Sequence, residues 1–140
     1  HLGLLPQTAE KYSVQGKTRE DAIQLIEDAK IIVESGVFSM VLEMVTSQVA
    51  KIITEKSSVP TIGIGSGKDC DGQVLVVHDM LGLFEKIKPK FAKRYLDLSE
   101  EIRNAVKSYV KEVKEQTFPA DNNEFQMDET EYNKLRKEIV

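Results

Sequence analysis

Tryptophan is absent from these 140 residues, cysteine occurs once, and aromatic residues make up only 6%. The lone Cys70 excludes an internal disulfide and fits a reducing compartment, so a cytoplasmic location is expected. Positive charge is in deficit, with 19 Lys and Arg against 23 Asp and Glu and a net charge of −4. Binding to a phosphate backbone needs clustered positive charge, so no nucleic-acid partner is expected. Long hydrophobic runs are missing as well. The apolar stretches fall far short of the ~20 residues that span a bilayer, which argues against a membrane protein. Position 1 is a histidine followed at once by a Gly/Pro turn, and no secretory leader is read there.

What is present is aliphatic, and it suits an interior of Val, Ile and Leu strands in one modest domain. No internal repeat or low-complexity segment is found. The first 16 residues read as a loop with turns at Gly3, Pro6 and Gly16. Thr18 is placed to cap a helix, with Glu20 and Asp21 favouring its positive end. Ala22, Ile23, Ile26, Ala29, Ile32 and Val33 recur at helical spacing, and Gly36 is a natural stop. Val37 to Leu42 reads as a buried parallel strand. Thr46 or Ser47 caps a second helix to about Lys56, with Val49, Ile52 and Ile53 inward.

The stretch from Val59 to Gly82 is the most informative. T-I-G-I-G reads as a strand ending in a glycine turn, an acidic loop follows, and Val74 to Val77 reads as a last strand ending at His78-Asp79. Strands whose C-terminal ends carry flexible backbone and polar groups describe the mouth of a (β/α) barrel. After Pro89, Phe91, Tyr95, Leu98, Ile102, Val106, Tyr109, Val110 and Val113 are spaced as one or two amphipathic helices. Beyond Pro119 the chain turns polar, and 130–139 could form a short helix.

Glu43 closes an apolar run, V-F-S-M-V-L, where a carboxylate is costly unless paired. Burial would raise its pKa and make it a candidate general base; alternatively it has already emerged into solvent beside the next helix. Gly63, Gly65 and Gly67 match neither a dinucleotide fingerprint nor a P-loop, since Asp69 follows Gly67-Lys68. They either let backbone approach a substrate or pack strand against helix. Asp69-Cys70-Asp71-Gly72 fails as a calcium loop, because Gln73 and Met80 stand where acids are required. Asp71 and Gly72 are read as loop-shaping residues. His78 and Asp79 are either supports for a site at the strand ends or structural. The basic run Lys86, Lys88, Lys90, Lys93 and Arg94 is most simply a solvated face.

H-L-G-L-L-P-Q at the start, V-L-E-M-V at 41–45 and the stretch 59–82 together resemble ketopantoate hydroxymethyltransferases, from His1 to about Pro119. The resemblance implies the C-terminal half of a (β/α)8 TIM barrel with additional C-terminal helices. It divides the chain into 1–119, half-barrel, and 120–140, polar tail. It implies Glu43 as catalytic base and His1, the histidine of G-H-x-G-L, as a contact to the keto-acid 3-methyl-2-oxobutanoate. It also implies Mg²⁺, with ligands in the N-terminal half rather than in this chain, and methylenetetrahydrofolate as co-substrate. D-G-Q at 71–73 is expected near the site mouth. Ring-like homo-oligomers, or pairing with an N-terminal half-barrel, are the expected assemblies. Two departures stand out: a shorter segment between Pro6-Gln7 and Val14-Gln15-Gly16, and N-N-E-F in place of the family's ending. An inactive half-barrel scaffold and a related Mg²⁺-dependent enolate lyase are the other readings.

Overall fold

Thr18 caps the first helix as its position foretells: its Oγ1 accepts the Asp21 backbone N–H at 3.1 Å. This geometry comes from a computed structural model describing residues 1–7 and 12–139. The shortened segment after Gln7 falls largely on residues 8–11, outside the described residues. The chain forms two compact units, His1–Asp97 and Leu98–Val140. Their boundary lies inside residues 1–119, the stretch that the family resemblance assigns to the half-barrel.

The first unit runs β1 (Leu2–Gly3), α1 (Arg19–Glu34), β2 (Met40–Glu43), α2 (Ser47–Lys56), β3 (Thr61–Ile64), β4 (Gly72–Gln73) and a short α3 (Val77–Met80). The four strands are parallel and lie in the order β1-β2-β3-β4. Strands that neighbour each other in chain order, the first three joined by helices, describe an arc of a barrel rather than a doubly wound sheet, whose order reverses. Leu2 pairs with Leu42, Met40 with Thr61, and Ile62 with Gly72.

Alternation along the strands sorts the side chains by face. Leu2, Met40 and Leu42 join Ala29 of α1 and Val49, Ala50 and Ile53 of α2 in one buried core. Val41, Glu43, Ile62 and Ile64 point the other way and stay half-buried. In a barrel the helices lie outside, so the second face is the interior one.

Several expectations are corrected. Residues 1–16 are not all loop: Leu2–Gly3 is a strand, and Gln15 bridges Val45. The second strand starts at Met40, and Phe38 is exposed, because the chain is still climbing out of the Gly36 turn. Ile23 and Ile52 face out, while Leu25 and Ala50 face the core. The last strand is Gly72–Gln73, not Val74–Val77. Val74 donates to the Gly63 carbonyl at 2.9 Å, after which the chain turns into α3. Phe91 and Tyr95 lie outside any helix.

The second unit holds α4 (Leu98–Lys114), a 3₁₀ turn (Asp121–Asn123) and α5 (Glu129–Ile139). Tyr109 and Phe118 meet edge to face at 5.6 Å. Asp128 Oδ1 caps α5 by accepting the Thr130 N–H at 2.9 Å. Neither helix buries a residue, although α4 carries Ile102, Val106, Tyr109, Val110 and Val113 at helical spacing.

Candidate active site

β2 ends at Glu43, and the backbone there is held from several sides. The Glu43 carbonyl accepts the Leu4 N–H at 2.9 Å, and Met44 N–H donates to the Ile64 carbonyl at 2.9 Å. Met44 has a φ of 50°, a left-handed conformation uncommon for a side chain of its kind. That turn is clamped by Ser66, whose buried Oγ donates to the Leu42 carbonyl at 2.7 Å and accepts the Val45 N–H at 3.1 Å. Gln15 N–H donates to the Met44 carbonyl at 2.7 Å, and Thr46 Oγ1 donates to the Gly16 carbonyl at 2.9 Å.

The outcome is a carboxylate at the C-terminal end of β2, on the face turned away from the helices. The Glu43 side chain is only 12% exposed, and burial pushes its pKa above the ordinary carboxylate value. Of the two readings left open by the sequence, emergence into solvent is therefore not what the fold does. His1 Nε2 lies 3.2 Å from Glu43 Oε2. β1 creates this meeting: Gly3 pairs with Glu43, so His1, two residues earlier, projects from the same face. A protonated Nε2 donates to the carboxylate, leaving Nδ1 for another partner. Gly3 has a φ of +91°, and a Cβ there would overlap the Glu43 carbonyl, so only glycine lets β1 come this close.

The other candidates scatter. A Cβ on Gly63 would meet Cys70 Sγ at 2.9 Å, and one on Gly65 would meet the Phe91 ring at 3.0 Å. Gly67 sits against Ser47 at the start of α2. Packing is thus what these glycines visibly do. Asp71 does shape its loop, accepting the Thr61 N–H at 2.8 Å and the Thr61 hydroxyl at 3.1 Å. The Thr61 backbone bond, then its hydroxyl, hold the Asp71 carboxyl below its ordinary pKa. Thr61 opens β3, however, so Asp71 and Gly72 lie at the end of the sheet opposite Glu43, not at the mouth. The loop runs back down the sheet to start a parallel strand without a helix. His78 and Asp79 are on α3, not at a strand end, and the structure gives neither side chain a bond to His1 or Glu43. Among the described residues no group of three or more His, Cys, Asp or Glu converges as a metal site.

Ser66 and the Gln15-Gly16 bridge escaped the sequence reading. The one available signal was a serine as the only hydroxyl inside a glycine turn.

A cavity of about 770 Å³ opens at the same end of the sheet, walled by Tyr12, Met44, Ile87, Pro89 and Phe91, with Lys90 among its lining. Its walls are mostly apolar.

Residues 1–121 match the ketopantoate hydroxymethyltransferase family. A 3-methyl-2-oxobutanoate hydroxymethyltransferase of Nitrosopumilus maritimus is 57% identical over 142 residues, covering 99% of this chain and 51% of that protein. The enzyme of the same name in Cenarchaeum symbiosum is 54% identical over 138 residues, covering 96% of this chain and 53% of its own. One from Clostridium botulinum is 50% identical over 138 residues, covering 96% and 50%. The chain spans about half the length of these relatives. With the barrel arc, the glutamate at the end of β2 and this match in hand, the chain belongs to the ketopantoate hydroxymethyltransferase family.

Proposed function

We propose that the protein to which this chain contributes transfers a hydroxymethyl group from methylenetetrahydrofolate to 3-methyl-2-oxobutanoate, giving 2-dehydropantoate on the way to pantothenate and coenzyme A. The observation that carries the reading is the His1–Glu43 pair on the interior face at the end of β2. Active sites of such barrels lie at the C-terminal ends of the strands. Glu43 is the base: it takes the proton from C3, next to the keto group. A carboxylate with an ordinary pKa near ~4.3 is a weak base for a carbon acid, and burial strengthens it.

The enolate carbon then bonds to the carrier's methylene carbon and the carbon–nitrogen bonds to the carrier break. Water supplies the hydroxyl oxygen, and the carrier nitrogens regain protons. His1 holds the Glu43 carboxylate in place and can pass its hydrogen bond to a keto-acid oxygen once Glu43 is protonated. The charge that develops on the keto-acid oxygens calls for a cation such as Mg²⁺. Its ligands are proposed to come from the complementary half of the barrel. A cytoplasmic setting suits the single free thiol of Cys70. No helix among the described residues is long and apolar enough to cross a membrane.

Two edges of the sheet favour a companion reading of how the chain works. Among the described residues β1 and β4 each pair on one side only, and Val74, Val76 and Val77 beyond β4 are exposed. Unpaired strand edges beside apolar surface recruit further strands. The arc is therefore completed by a complementary half-barrel or by further copies of the chain. The test is product formation from both substrates with Mg²⁺, by the chain alone and mixed with the complementary half of the Nitrosopumilus maritimus relative. Glu43-dependent 2-dehydropantoate from the mixture is expected. No product from halves that are folded and associated would overturn the reading.

A further inference from the structure

The backbone that carries Glu43 is restrained by two kinds of bond. Leu4 N–H on the Glu43 carbonyl, Met44 N–H on the Ile64 carbonyl and Gln15 N–H on the Met44 carbonyl join main chain to main chain, and many sequences could make them. Ser66 holds the same stretch through its side chain, and does so twice. Its Oγ donates to the Leu42 carbonyl at 2.7 Å and accepts the Val45 N–H at 3.1 Å. A hydroxyl has one proton to give, and the Ile64 carbonyl, at 3.4 Å, is the farther acceptor. The two short bonds lie on either side of Glu43 and Met44. One oxygen therefore spans both the base and the left-handed residue that follows it.

The turn around Ser66 aims this hydroxyl inward. Gly65 and Gly67 flank it with φ of 65° and 84°, and a Cβ on Gly67 would overlap Ser47 at the start of α2. From the far side of the loop, Gln73 Nε2 donates to the Gly67 carbonyl at 2.9 Å. The Ser66 side chain is fully buried between these restraints. Stability gives it one role, as the acceptor for a buried N–H. Its place gives it another. β1 brings His1 against the Glu43 carboxylate and β3 sets Ile64 beside it. The carboxylate meets both neighbours only while the end of β2 stays where the hydroxyl holds it.

We propose that Ser66 is a positioning residue for the base: its hydroxyl fixes the turn after β2 and so holds the Glu43 carboxylate in its buried pose facing His1. The proposal rests on the function proposed above, since it concerns that reaction's base. It makes the loop between β3 and β4, which stands where a regular β/α repeat would put a helix, part of the apparatus that aims the base.

The test titrates the Glu43 carboxyl by ¹³C NMR in the 140-residue chain. It also follows deuterium exchange at C3 of 3-methyl-2-oxobutanoate, with the chain paired with the complementary half-barrel. Ser66→Ala should move the Glu43 titration to lower pH, because a loosened turn lets water reach a carboxyl that burial holds high. It should slow exchange about 10–100-fold through kcat with KM for the keto acid unchanged, the scale of a catalytic group displaced by about 1 Å. Leu42→Val, which loosens packing on the other face and keeps the hydroxyl, should leave both readouts unchanged. Ser66→Cys, whose thiol is a weaker donor and acceptor, should fall between, and it carries the test if Ser66→Ala does not fold by circular dichroism. An unaltered titration and exchange rate in folded Ser66→Ala, or in Ser66→Cys where alanine is not tolerated, overturns the proposal. A lowered Glu43 titration in the Ser66 variant, with no Glu43-dependent exchange in the unsubstituted pair, keeps the positioning role and sinks the reaction. Glu43-dependent exchange that the Ser66 variant leaves untouched, with Glu43 titrating as before, sinks the positioning role and keeps the reaction.

Discussion

The two faces of the sheet are built to different ends. On the helix-covered face Met40, Leu42 and Thr61 are almost wholly buried, and the one polar group among them is satisfied, since the Thr61 hydroxyl lies 2.8 Å from Thr54 Oγ1 and 3.1 Å from Asp71 Oδ2. On the interior face Val41, Glu43, Ile62 and Ile64 are less completely buried, and a carboxylate sits there with its pKa raised by burial. One face supplies stability, and the other holds a group at a cost that folding alone would not select. Raised carboxylates in such places mark chemistry.

Breaking each face separately tests this division. Glu43→Gln should lower product formation most, by about 10²–10⁴-fold, the usual contribution of a positioned base, while leaving the fold intact by circular dichroism. Leu42→Ala, one residue away on the other face, should do the reverse. It should destabilise the chain by about 2–5 kcal/mol in urea titrations through the cavity it leaves. Ser66→Ala strips the buried Val45 N–H of its acceptor and should cost about 1–3 kcal/mol. It should also slow turnover by loosening the Met44 turn, an effect that Leu42→Val would not share.

The smallest effect is in pH dependence. Glu43 has a folded pKa above its unfolded value, so between the two the folded chain binds more protons than the unfolded one. Its contribution to stability is therefore greatest at the acid side and falls as pH rises through that window. Glu43→Gln should flatten this segment of a stability–pH curve. Asp71, lowered by Thr61, acts with the opposite sign: its contribution is present above its unfolded pKa and fades as pH falls. Asp71→Asn should remove only that acid-side loss.

Local signals carried the sequence reading where they decide the structure by themselves. The Thr18 cap, the Gly36 stop, the span of α2 and the strand at Thr61–Ile64 are where spacing places them, but Thr46 does not cap α2 with its side chain, because its hydroxyl donates to the Gly16 carbonyl instead. Errors arose where pairing decides. Leu2–Gly3 is too short to show periodicity, and it is a strand because Leu42–Glu43 offers it an edge. Val74–Val77 looks like a strand and is not one, because β4 pairs at Gly72–Gln73 and the chain then leaves the sheet. The same limit shaped the site. Glu43 was legible because a carboxylate closing an apolar run costs stability, and such a cost points to a role in chemistry. The His1–Glu43 contact depends on register, and the Ser66 clamp spans 24 residues to reach Leu42. Neither follows from composition or spacing. Asp71 lies away from the mouth where the resemblance puts it, because the loop descends before β4 begins, and nothing in the sequence reveals that descent.

The central claim is that Glu43 removes the C3 proton of the keto acid. The most direct test is deuterium exchange at C3 of 3-methyl-2-oxobutanoate in D₂O with Mg²⁺, followed by NMR, using the chain paired with the complementary half-barrel. Exchange should quicken as pH rises through the raised pKa of Glu43 and disappear in Glu43→Gln while the keto acid still binds. Exchange at an undiminished rate in Glu43→Gln would contradict the claim and place the base elsewhere.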